Sequence, residues 1–60
     1  MSFYRLYFRD SEGHFSGVRE IEAFDEEQAI RRANRICHGG SCELWHENRL
    51  LRRWMPETRD

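Results

Sequence analysis

No apolar run in this chain exceeds three residues, Leu6-Tyr7-Phe8 being one; a membrane helix needs about 18. A membrane-spanning helix is therefore not expected. Large aliphatics are also scarce: Leu, Ile, Val and Phe together number twelve of the 60 residues, at the edge of the composition at which chains stay unfolded. Lysine is missing altogether, so all ten basic side chains are guanidinium groups suited to planar, bidentate or stacked contacts. A GC-rich coding sequence produces the same bias. Arg5 and Arg9 interrupt the N-terminal apolar segment, which leaves no signal-peptide core. The expected compartment is the cytoplasm, where Cys37 and Cys42 are expected as thiols rather than as a disulfide.

Two features offset the scarcity. Eight aromatics bury much area per residue, and ten basic against eleven acidic residues give a net charge of −1, so the chain does not repel itself open. Sixty residues hold one small domain and no second, one that buries about 60% of its unfolded surface.

Phe3 to Arg9 reads as a strand with aromatics on both faces, Tyr4, Leu6 and Phe8 opposite Phe3, Arg5, Tyr7 and Arg9. Asp10-Ser11-Glu12-Gly13 carries turn chemistry, and His14 beside Asp10 and Glu12 belongs to that turn. The return strand, near His14 to Ala23, sets Phe15 and Ile21 in one alternation phase and Val18 in the other; a bulge at Gly17 would reconcile them. Asp25 with Gln28 three residues on predicts a helix start, and Glu26 and Glu27 suit the positive end of its dipole. Ala29, Ile30, Ala33, Ile36 and Cys37 then form one apolar stripe, with Glu27 spaced to pair with Arg31. Gly39-Gly40 ends the helix, Ser41 to His46 forms a third strand, and Glu47-Asn48-Arg49 turns into Leu50 to Trp54. The expected fold class is α+β: a single ββαββ domain over 1–55, sheet order 2-1-3-4, one helix on one face, and a frayed tail over 56–60.

The aromatic first strand with its Asp10-to-His14 turn, the acid-capped Ala-containing helix, and the Glu43-Leu44-Trp45 strand before an Arg-rich hairpin carry a resemblance. Over residues 3–54 the chain resembles short uncharacterised alphaproteobacterial proteins grouped as a domain of unknown function. That resemblance implies a small sheet-plus-helix fold and no activity. The first hairpin and helix are weakly similar to HicB-type antitoxins, but the longer strands and loop that those proteins place before the helix are missing here.

One helix covers one side of a four-stranded sheet, which leaves the other side open. With Leu6 and Leu44 facing the helix, the open side displays Phe3, Arg5, Tyr7, Arg9, Glu43, Trp45 and Glu47. The last strand adds either Leu50, Arg52 and Trp54 or Leu51, Arg53 and Met55. Phe3, Arg5, Tyr7, Arg9, Trp45, Arg52 and Trp54 are thus the candidate interaction residues, and Arg5 and Arg9 are placed to pair with Glu43 and Glu47. Self-association or docking of another protein is the expected use of so aromatic a face. Single-stranded RNA or DNA stacked on the same rings is the alternative, opposed by the near-neutral charge and the acidic run from Glu20 to Glu27. Cys37, His38, Cys42 and His46 include the residue types of a zinc site. Cys37 and Cys42 also fit as small core residues, and His38 as a cation at the helix end. No nucleophile–base set or phosphate loop stands out, so neither enzyme activity nor a cofactor is expected.

Overall fold

The computed structural model describes residues 1–37 and 40–55. Its elements run β1 (Ser2–Arg9), β2 (Phe15–Ala23), α1 (Glu26–Ile36), β3 (Ser41–His46) and β4 (Arg49–Trp54). All three strand pairings are antiparallel and the order is β2-β1-β3-β4, the α+β arrangement expected from the sequence. The proposed tail and the Gly39 helix stop lie outside the described residues.

Local chemistry sets each element. The Asp10 carboxylate accepts from the Glu12 and His14 amides at 2.9 Å, and Gly13 closes the turn at φ 86°. At the helix start, Asp25 accepts from the Gln28 amide and Gln28 Oε1 accepts from the Phe24 amide, both at 2.8 Å. This is a reciprocal cap shifted by one residue from the usual box, which returns to the cap residue's own amide. Glu27 and Arg31 pair at 2.9 Å, as their spacing requires. The helix ends one residue before its stripe does, and Cys37 acts as C-cap by donating its amide to the Ala33 carbonyl at 2.8 Å.

Tyr4, Leu6, Ile21, Ala23, Ala29, Ala33, Cys37, Cys42 and Leu44 form the buried core between sheet and helix. Two alanines at the contact let the helix lie close on the sheet. Glu26 and Arg49 pair at one end of the helix, and the Trp54 indole donates to Asn34 near the other.

Two corrections emerge on this side of the sheet. Cys37 and Cys42 are joined as a disulfide, not held as separate thiols, because the helix C-cap sets them at a Cα separation of 6.4 Å, within bridging range. Arg52 and Trp54 also belong to the helix side, not to the open face. β4 pairs Trp45 with Leu50 but Leu44 with Arg52, which leaves Leu51 as an extra, bulged residue. An extra residue inverts the alternation beyond it. Leu51 and Trp54 therefore pack on the core while Leu50 and Arg53 turn to the open side, a combination neither uniform register supplies.

Candidate docking face

The open face is built in rows across the sheet. Antiparallel partners share a face, so Glu22 stands beside Phe3, and Glu20, Arg5, Trp45 and Leu50 make the next row. Val18, Tyr7, Glu43 and Arg53 follow, and then Phe15, Arg9 and Ser41. Phe15 reaches this face through a second bulge. Phe8 pairs with Gly17 but Arg9 with Phe15, so the extra residue is Ser16, beside the Gly17 position expected for it. The Phe8 ring lies over Gly17, at an ordinary contact distance of 3.9 Å from where a Cβ would stand.

The centre of the face is a buried charge. Glu43 is only 3% exposed although it faces away from the helix and its core. Arg9 donates from Nε to Oε2 at 3.0 Å, Trp45 from Nε1 to Oε1 at 3.1 Å, and Arg53 Nε lies 3.4 Å from Oε2. Burial by itself pushes the Glu43 carboxyl upward. The hydrogen bonds from Trp45 and Arg9 and the charges of Arg9 and Arg53 outweigh it, so the group sits below its ordinary value and stays ionised. Arg9 is fixed twice more: it donates to the Gly13 carbonyl at 2.7 Å, and its guanidinium lies 4.2 Å from the Phe15 ring centre. Tyr7 packs against the same ring at 5.5 Å. Cross-strand chemistry thus immobilises one end of the face.

The other end is open. Phe3, Arg5, Tyr7, Trp45, Glu20 and Glu47 line a shallow groove of about 360 Å³. Among the described residues Arg5 forms no ion pair within 4.0 Å, unlike Arg9. Phe3, Val18 and Phe15 are 56%, 57% and 58% exposed, while Tyr7 and Trp45 are half-buried among their neighbours.

The structure therefore brings five of the seven candidate residues together (Phe3, Arg5, Tyr7, Arg9 and Trp45) and sends Arg52 and Trp54 to the opposite side. It adds Val18, Phe15, Leu50 and Arg53. The signal for Arg53 was present in the apolar spacing of β4, since Leu51 and Trp54 stand three apart and can share a side only through a bulge. Of the zinc candidates, Cys37 and Cys42 are bonded to each other, His46 stacks on Tyr4 at 4.5 Å, and His38 lies outside the described residues. Among the described residues no three His, Cys, Asp or Glu side chains converge as a metal site, and no helix is long and apolar enough to cross a membrane.

No family model, curated protein or solved structure matches this chain. Any functional reading therefore rests on the face itself.

Proposed function

We propose that this chain is a non-enzymatic docking module that pairs through its open sheet face, with a second copy of itself as its partner. The observation that carries the reading is that Phe3, Val18 and Phe15, each more than half exposed, share one sheet face with Tyr7 and Trp45. Apolar surface grouped in this way marks an interaction site rather than routine exterior. A chain this small gains a second core when two sheets stack face to face.

Charge supports a self-complementary partner. The face carries Arg5, Arg9 and Arg53 against Glu20, Glu22, Glu43 and Glu47, three positive against four negative. A two-fold axis lying across the strands would bring the Glu20–Glu22 end of one copy toward the Arg9 end of the other, placing unlike charges together. The same arithmetic weakens the nucleic-acid alternative. Arg9 and Arg53 are already paired with Glu43, and Arg5 stands among Glu20, Glu47 and the rings, a poor setting for phosphate.

Sedimentation equilibrium tests the reading. The wild type is expected to dimerise in the micromolar range, and Phe3→Arg with Val18→Arg to weaken the dimer about tenfold or more, with the circular dichroism unchanged. A wild type that stays monomeric at high micromolar concentration overturns self-pairing. Quenching of tryptophan emission by short single strands, relieved by salt, would favour nucleic acid instead.

A further inference from the structure

We propose that Cys37 and Cys42 form a reversible two-electron oxidation site whose co-reactant is a small-molecule disulfide that enters at Cys37. The two sulfurs lie on the helix side of the sheet, because Cys42 projects to that side of β3, while Arg9 and Ser41 of the open face border their cleft. Three observations carry it. The two residues are bonded across only five positions of sequence, between the helix C-cap and the start of β3. Both belong to the apolar core, where a thiol serves as a small hydrophobe, so the reduced pair has a place to sit. The helix is also held without the bridge, through the Cys37 amide on the Ala33 carbonyl, Asn34 on Trp54, and Glu26 on Arg49.

Access is unequal. Both cysteines line a shallow cleft of about 370 Å³ together with Phe8, Arg9, Ile36 and Ser41. Cys37 is 8% exposed and Cys42 only 1%, so an incoming reagent reaches Cys37 first. In the oxidising direction the Cys37 thiolate attacks a sulfur of oxidised glutathione, forming a mixed disulfide and releasing one glutathione thiol. The Cys42 thiolate then attacks the Cys37 sulfur, closes the bridge and expels the second glutathione thiol. Two protein thiols are oxidised, one glutathione disulfide is reduced, and the two protons leave on the glutathione thiols. Reduction runs the same path backwards, with Cys42 as leaving group. Because Cys42 stands opposite Trp54 in the sheet register, Trp54 emission reports the change from within.

The test is a redox titration of the full chain in graded reduced and oxidised glutathione, quenched by alkylation and read by mass spectrometry. Expected is one transition between no alkylated thiol and two, accompanied by a shift in Trp54 emission, with the helix signal retained throughout. In the single variants, Cys42→Ser should trap glutathione on Cys37 about tenfold faster than Cys37→Ser traps it on Cys42. Two alkylated thiols at every ratio, a bridge that never opens, or loss of the helix on reduction would overturn the site. Equal trapping rates would overturn entry at Cys37.

Discussion

Leu44 and Glu43 are neighbours on β3, both buried, and they are buried by opposite means. Leu44 points into the layer between sheet and helix, where it joins the apolar core cluster and is fully buried. Glu43 points to the face opposite the helix, and is enclosed by long side chains from the strands beside it: Arg9 from β1, Arg53 from β4, and Trp45 two residues on. The helix side shows how a small protein removes carbon from water. The other side shows a carboxylate removed from water because hydrogen bonds from one guanidinium group and an indole, with the charge of a second guanidinium, take the place of water. The cost of exchanging those bonds is low because Arg9 and Arg53 keep part of their surface in solvent. Rigidity is thus available to the open face without a second layer, and a rigid face binds with less entropy to lose.

The strongest test of the contrast is Leu44→Ala. It opens a cavity against packed neighbours and is expected to cost about 2–5 kcal/mol, enough to unfold much of a domain this size in urea titrations at pH 7. A loss near zero would mean that the helix does not seal this layer.

Glu43→Gln is expected to cost less, about 1–2 kcal/mol, since it leaves Arg9 and Arg53 facing each other without the charge between them while water screens both. Its pH signature is sharper than its size. The native carboxyl is held below its ordinary value of about 4.5. Its contribution is therefore fully present above that pH and is lost as pH falls through the native value. Denaturation curves at pH 7 and pH 3 should show a smaller acid loss in the variant than in the wild type; equal losses would remove Glu43 as the acid-sensitive group.

The smallest effect lies at the end of the β3–β4 hairpin. Glu47 holds φ 58°, a conformation side chains adopt at a cost and glycine adopts freely. Glu47→Gly should stabilise by about 0.5 kcal/mol in thermal melts. Because Glu47 also lines the groove, the substitution removes one acid from the open face, so sedimentation of the same variant reports on association.

Much of this architecture was legible from residue order. Asp25 and Gln28 mark the helix start, Asp10 and Gly13 mark the first turn, and the two faces of β1 follow from simple alternation. These are interactions between residues a few positions apart, so the chain states them directly. The last strand is less legible. Leu50, Leu51, Arg52, Arg53 and Trp54 offer no uniform alternation, and the bulge that divides them depends on what Leu44 and Trp45 on the neighbouring strand present. Simple alternation therefore puts Arg52 and Trp54 on the wrong side.

The cysteines teach the same lesson from another direction. Sequence pattern puts Cys37 on the helix stripe and Cys42 on the side of Leu44, and both lie in the core, but a cytoplasmic compartment would favour thiols. Their joining depends on where the helix ends relative to β3, a distance no local pattern contains. Residue order by itself determined the elements, their caps and the presence of two unlike sheet faces, because propensity, capping and alternation act over a few residues. Tertiary structure alone decided which side each residue of β4 takes, that Glu43 is buried as an ion, and that the two sulfurs meet. Each of those depends on register or approach between segments distant in the chain, and one bulged residue is enough to reverse the answer.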